Sequence, residues 1–351
     1  MFTQHFKNVG LPCPFLFSRP CGFPVVACQL PVSGRNVRAA GAFRTEAQLT
    51  RRIDSMAPRI RSLVIPAAGR GTRLLPATKS TPKELLNVYD RPALQFAMDE
   101  AIALGVERIV VVIHPSKRAI CDYLTPDRAQ VRKLRESGKA TLGTALSATE
   151  VPEGIEIAFA IQDHPLGLGH AILCAQDMVL PGPFGVILPD DVIMGTPCLS
   201  EMAEHYTTGH MIAAMEVGPA ETGSYGIFQI AGPSIGHSVP VSGMIEKPAP
   251  GQAPSRLAAV GRYILDPCIF APLKLTPRGA GAEIQLTDAI ARNAVHAPLT
   301  AFRFSGTRYD CGNHDGLLAA ALARQRDVKR KEAEHIPFDG MKVGHSVAAV
   351  A

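Results

Sequence analysis

The chain of 351 residues is 46% hydrophobic and 19% charged, proportions of a folded globular protein with room for one large α/β domain or two smaller ones. Its net charge of +5 resides in residues 1–45, where Lys7, Arg19, Arg35, Arg38 and Arg44 meet no acid; the neutral remainder argues against a broad face for nucleic acid. No apolar run reaches the roughly 18 residues of a membrane span, and eight scattered cysteines without a CxxC pair support neither a zinc ribbon nor a redox motif and fit a reduced, cytoplasmic protein.

Residues 1–55 show no sustained period, several prolines and no acid before Glu46. Such a stretch reads either as a targeting peptide or as an extension that is not native, with Met56 as a natural start, and disorder is expected in both cases. Ser62–Ala67 (SLVIPA) is a short, β-branched apolar run and reads as a buried strand. Arg91–Leu104 carries Leu94, Ala97, Met98, Ala101 and Ile102 at helical spacing, with Gly105 as a stop. The segment between them, Gly69–Thr81, is therefore a basic, glycine-containing loop leaving the carboxyl end of a strand, where open α/β sheets bind ligands. Gly69 and Gly71 allow close backbone approach, Thr72 offers a hydroxyl, and Arg70, Arg73, Lys79 and Lys83 supply positive charge. The loop suits a polyphosphate.

GRGTRL is not the dinucleotide fingerprint, because Leu74 replaces its third glycine, and no Walker loop occurs. The full string GRGTRLLPATKSTPKELL, however, resembles the opening of the sugar-nucleotide pyrophosphorylases, and its PATK…PKELL is most similar to the bacterial UTP–glucose-1-phosphate uridylyltransferases. The resemblance implies that Ala68, Gly69, Gly71, Thr72 and Arg73 hold a nucleoside triphosphate. It places Lys83 near the reacting phosphates and Glu84 near the uracil ring.

Further along, Arg108–Ile113 (RIVVVI) reads as a strand buried on both faces, completing a right-handed βαβ unit. Asp127–Lys139 reads as a solvated helix, and Ser137–Ala148 lacks the helix pattern usual in the family. The strand Ile155–Gln162 leads into DHPLGLGHA, which resembles the family's second nucleotide loop; Gln162 and the backbone at Gly167 are implied to read the uracil edge, a task that suits an amide. His170 is a helix-start residue with no acid–base role assigned. Phe184–Ile193 (FGVILPDDVI) reads as the central strand, ending in Asp190 and Asp191. Unpaired carboxylates there are costly unless a hard cation such as Mg²⁺ takes them. The family pattern LPDD implies Asp190 as the ligand, leaving Asp191 as a supporting partner or a helix cap. Asp266, ending the GRYIL strand, is the weaker metal candidate by the same resemblance.

YGIF and MIEKP resemble the family's sugar-binding stretches, which implicates Gly226, Glu246 and Lys247 in binding the sugar phosphate. PRGAGAEIQLTDAI matches another family block, whose glycine-rich loop is expected to close near the sugar and whose helix spans Leu286–Val295. A final helix is expected from His314 to about Asp327. The expected architecture is a mixed, mostly parallel sheet flanked by helices, Rossmann-like, with a smaller sugar-side subregion from about 195. Residues 56–330 form the nucleotidyltransferase domain and 331–351 a frayed tail. The implied reaction joins UTP and glucose 1-phosphate into UDP-glucose and pyrophosphate with Mg²⁺, in a cytoplasmic homo-oligomer without nucleic-acid or membrane partners. The rivals are another specificity, such as a thymidylyltransferase, and a non-catalytic paralogue.

Overall fold

The structure, a computed structural model, describes residues 58–334; the expectations for 1–55 and for 335–351 lie outside the described residues. The first half runs β1 (Ser62–Pro66), α1 (Ala93–Leu104), β2 (Arg108–Ile113), α2 (Arg118–Leu124), α3 (Arg128–Glu136), α4 (Ala140–Ser147), β3 (Glu156–Ile161), α5 (Leu168–Cys174) and β4 (Phe184–Ile187). The second half runs β5 (Asp191–Met194), α6 (Cys198–His205), β6 (His210–Glu216), β7 (Gly226–Ile230), β8 (Ser238–Glu246) and β9 (Leu257–Leu265). It ends with α7 (Phe270–Leu275), α8 (Leu286–Asn293), β10 (Leu299–Arg303), β11 (Thr307–Asp310) and α9 (His314–Glu334).

Nine strands form one mixed sheet in the order β3-β2-β1-β4-β9-β6-β10-β8-β7. The nucleotide-side strands β3, β2, β1 and β4 are all parallel. Beyond β4 the pairings are antiparallel except for β6 with β10. A bridge from Ala258 in β9 to Ile227 in β7 draws that side toward closure. Both faces of β1 and β2 are buried, which is why they read as unbroken apolar runs. Val64, Val110 and Val112 pack with α5, α7 and α8, whereas Leu63, Ile65, Ile109 and Val111 pack with α1, α2 and α6. Among the described residues no helix is long and apolar enough to cross a membrane.

Three elements differ from the sequence expectation. The central strand is not continuous to Ile193: it breaks after Ile187 at Leu188-Pro189-Asp190, where the Asp191 N–H turns back to Leu188 O at 3.1 Å. Proline has no N–H for the ladder, so the strand ends there and restarts as β5 paired with β11. Ala140–Ser147 is helical despite its glycine and threonines. Gly143 lets α4 close on α3, since a Cβ there would lie 3.2 Å from Arg135 Cγ and 3.3 Å from Val131 O, and packing overrides propensity. The last helix continues to Glu334, so residues 331–334 are not a frayed tail. Its final turns carry ion pairs from Arg330 and Lys331 to Asp327 and from Arg330 to Glu334.

His210 sits at the end of the sheet opposite the glycine-rich loop and is fully buried. Its Nδ1 accepts the Asp266 N–H at 3.2 Å, and Nε2 lies 2.8 Å from the Asn293 amide. Burial pushes its pKa down from 6.5 to about 4. Between those values the unfolded chain binds a proton that the folded chain refuses, so stability is lost as pH falls through that window. The expected loss is about 3 kcal/mol from pH 7 to pH 4. Urea unfolding at both values checks it, with His210→Gln losing less over the same interval.

Candidate active site

The loop after β1 turns on Gly71, which has φ +65°; a Cβ there would also come within 3.2 Å of Lys83 Cβ and Thr78 Cγ2. Glycine is therefore required twice, for the left-handed backbone and for the close approach. Thr78 Oγ1 donates to Gly71 O at 2.8 Å and pins the turn. Lys83 then reaches past the loop to Asp190, with Nζ 2.5 Å from Oδ2. Burial disfavours both charges, but each offsets this in the other. The Asp190 carboxyl is held below its usual range and the Lys83 ammonium above its own.

The Leu188–Asp190 turn projects Asp190, and its backbone carbonyl accepts the Cys311 N–H at 2.7 Å. Cys311 follows β11, and α9 begins just beyond, where a Cβ at Gly316 would collide with Asp310 O. The C-terminal segment thus clamps the acid turn. Asp191 faces differently. Its Oδ1 takes Arg308 Nε at 2.9 Å and Nη2, and its Oδ2 takes the Gly261 N–H at 2.8 Å. Burial pushes the Asp191 carboxyl up, and the Arg308 guanidinium opposes that. Both oxygens are committed, so Asp191 is a supporting partner rather than a helix cap. Asp190 lines both cavities of the cleft, Asp191 only one.

Two adjoining cavities share Gly69, Gly71, Thr72, Lys83 and Asp190. One, of about 810 Å³, is also lined by Ala68, Gln162 and Gly167. The other, of about 490 Å³, is lined by Arg73, Gly226, Glu246, Lys247 and Arg308. Lys247 has φ +44°, an uncommon backbone for lysine, fixed by its N–H to Tyr225 O at 3.0 Å. Gly226 sits in a tight place, where a Cβ would lie 3.0 Å from Met244 Cε and 3.2 Å from Glu246 Oε2 and would push both side chains aside. The glycine-rich loop before α8 straddles both cavities, with Arg278 on the first and Glu283 on both, rather than closing over the sugar side alone. It seats on Gly167 and Gly169, where a Cβ would come within 2.7 Å of Glu283 Cβ and Ile284 O respectively.

Two expected site residues are not brought to this cleft. Glu84 is fully buried and lines neither cavity. Its oxygens take Lys117 Nζ at 2.9 and 2.8 Å, and the same ammonium donates to Ala67 O at 2.7 Å. Burial raises the Glu84 pKa and lowers that of Lys117, the signature of a pair held in low dielectric. Asp266 is at the wrong end of its strand. β9 runs antiparallel to β4, so Arg262 pairs with Ile187 beside the acids while Leu265 pairs with Phe184. Asp266 therefore lies roughly 13 Å farther along at strand spacing, and its carboxylate caps the Cys268 N–H at 2.9 Å.

Comparison with known proteins decides the family: the sequence matches the nucleotidyl transferase family over residues 62–326. The chain belongs to the nucleotidyl transferase family. It is 40% identical over 269 residues to the UTP–glucose-1-phosphate uridylyltransferase YngB of Bacillus subtilis (strain 168), covering 76% of this chain and 90% of that one. Among solved structures it is similar to an apo UDP-glucose pyrophosphorylase, with a TM-score of 0.71 and 34% identity over 77% of this chain and 99% of the other. It is similar also to a UTP-bound enzyme of this kind from Acinetobacter baumannii, with a TM-score of 0.70 and 37% identity over 79% of this chain and 99% of that one.

Four residues that line the two cavities or brace their walls escaped sequence reasoning. Arg278 and Glu283 lie within the PRGAGAEIQLTDAI block, but neither side chain stands out there, and Lys117 stands in no motif. Arg308 is a lone arginine just before Tyr309–Asn313 (YDCGN), a stretch to which the sequence assigns no role.

Proposed function

We propose that the chain transfers the uridylyl group of UTP to α-D-glucose 1-phosphate, giving UDP-glucose and pyrophosphate. The observation that carries this reading is the pair of cavities meeting at the glycine loop, Lys83 and Asp190, with an amide on one side and a Glu-Lys pair on the other. In the larger cavity Gln162 and the Gly167 backbone face the base, while Ala68, Gly69, Gly71 and Thr72 hold the triphosphate and Arg73 meets it from the smaller cavity. In the smaller one Glu246 accepts sugar hydroxyls, Lys247 pairs with the sugar phosphate, and Gly226 leaves the hexose room.

A phosphate oxygen of the sugar attacks the α-phosphorus in line, the bond to the β-phosphate oxygen breaks, and pyrophosphate leaves. Lys83 releases Asp190 to follow the phosphate charge. No covalent intermediate is needed: the chain holds two anions in line and neutralises them. The donor set fits Mg²⁺, because Asp190 is a hard carboxylate that lines both cavities and is paired through Oδ2 with the displaceable Lys83 ammonium, and Mg²⁺ takes one or two carboxylates with phosphate oxygens and water. Among the described residues no group of three potential ligands forms a self-contained metal site, which suits a cation that arrives with the nucleotide. Bound at Asp190, it supplies Lewis-acid neutralisation of phosphate charge.

The test is pyrophosphate release across a panel of nucleoside triphosphates and sugar 1-phosphates. UTP with glucose 1-phosphate is expected to be fastest. A preference for dTTP would assign a thymidylyltransferase, and no release with any pair a non-catalytic paralogue. The reading extends to a cytoplasmic homo-oligomer on the family resemblance, which light scattering checks for assembly.

A further inference from the structure

We infer that His170 is a positioning residue that fixes the polarity of the Gln162 amide, so that the site accepts uracil and rejects cytosine. The inference rests on the uridylyl reading above. Gln162 follows β3 and is only 3% exposed. Its Nε2 lies 3.2 Å from Gly167 O and 2.9 Å from His170 Nδ1. A backbone carbonyl can only accept, so the atom facing Gly167 O is the amide nitrogen. The second amide N–H then points at His170 Nδ1, which must accept it. That assigns the neutral ring with its proton on Nε2, whose neighbour at 3.9 Å is the soft Cys174 sulfur.

With both amide N–H groups taken by the protein, Gln162 has only Oε1 left for a ligand. Among the described residues no protein group donates to it. The site therefore reads a donor. Uracil presents N3–H between two carbonyls, whereas cytosine presents a bare N3 acceptor. Facing Oε1, the second leaves two acceptors opposed in a buried place. Thymine shares the N3–H, so this device does not separate UTP from dTTP. Without an acceptor at His170 the amide is free to turn over and offer its NH₂ group, and discrimination fades.

The ring is surrounded by Gln162 from β3, His164 and Gly167 from the loop, Cys174 on its own helix and Arg278 from the loop before α8. Burial lowers its pKa, the charges of Arg278 and His164 add to that, and a hydrogen bond to the His164 backbone opposes it. The acceptor at Nδ1 thus persists through neutral pH. It is lost only when acid places a proton on it.

The experiment measures kcat/KM for UTP and for CTP, with glucose 1-phosphate as acceptor, in the wild type, His170→Phe and His170→Asn. Asn keeps an acceptor near the Nδ1 position; Phe does not. His170→Phe is expected to lower the UTP:CTP ratio at least about tenfold, the worth of a mispaired buried group. His170→Asn should retain most of the ratio, and KM for glucose 1-phosphate should not move in either. A second arm needs no variant: the wild-type ratio should hold from pH 8 to pH 6.5 and fall below that. A wild type that uses no UTP overturns the uridylyl reading and this inference with it. A UTP-preferring wild type whose ratio is unchanged in His170→Phe, or flat into acid, overturns this inference alone.

Discussion

Asp190→Asn folds like the parent and turns over roughly 10²–10³-fold more slowly, the scale of losing an electrostatic contact to developing charge. Asparagine keeps the shape and the backbone acceptor for Cys311 but removes the charge that faces both cavities. Stability falls by less than for a fully buried pair, because the Lys83 and Asp190 side chains keep 20% and 27% of their surface in solvent. Asp191→Asn has the opposite profile. It leaves the buried Arg308 guanidinium with only the more distant Asp310 carboxylate, 3.7 Å away, which costs up to about 3–5 kcal/mol, and turnover per folded molecule falls less. Asp266→Asn is close to neutral in both, since asparagine caps as well as aspartate. Turnover against Mg²⁺ concentration, with melting curves for all three variants, checks the set. An Asp190→Asn enzyme with normal turnover and Mg²⁺ dependence would transfer the role to another group.

Local chemistry made much of this site legible in the sequence. A basic loop with two glycines and two acids beside a proline are each written in a few adjacent residues, so both stretches stand out without a fold, whereas the choice of Asp190 over Asp191 rests on the resemblance to the family pattern LPDD. Strand direction is not written that way. Asp266 ends an apolar strand just as Asp190 does, but β9 runs antiparallel to β4, and one reversed strand puts its carboxylate at the far edge. Glu84 failed for a related reason: its partner Lys117 is 33 residues away, and a charge looks available until its counter-ion is found. Arg308 belongs to the same class, because a lone arginine acquires a role only once β11 pairs with β5 beside Asp191. The helix at Ala140–Ser147 was hidden by weak propensity that tertiary packing overrode.

The Glu84–Lys117 pair leads to the second large expected effect. Lys117→Met leaves a fully buried carboxylate with neither of its two hydrogen bonds to lysine. Breaking one side of a buried pair costs about 3–5 kcal/mol, more than either partner is worth when both are removed together. The double variant Glu84→Gln/Lys117→Met should therefore recover part of the lost stability, because a neutral amide needs no counter-ion. It should not recover the site. Lys117 also donates to Ala67 O at 2.7 Å, tying the end of β1 to the turn that carries Lys83. Without that strut the glycine loop and the Lys83 turn lose their shared anchor, so KM for UTP should stay raised in the double variant while that for glucose 1-phosphate changes less. Urea unfolding of the two singles and the double, with steady-state kinetics on each, separates the two effects. Full recovery of UTP binding in the double variant would mean that the Ala67 contact contributes nothing to the loop.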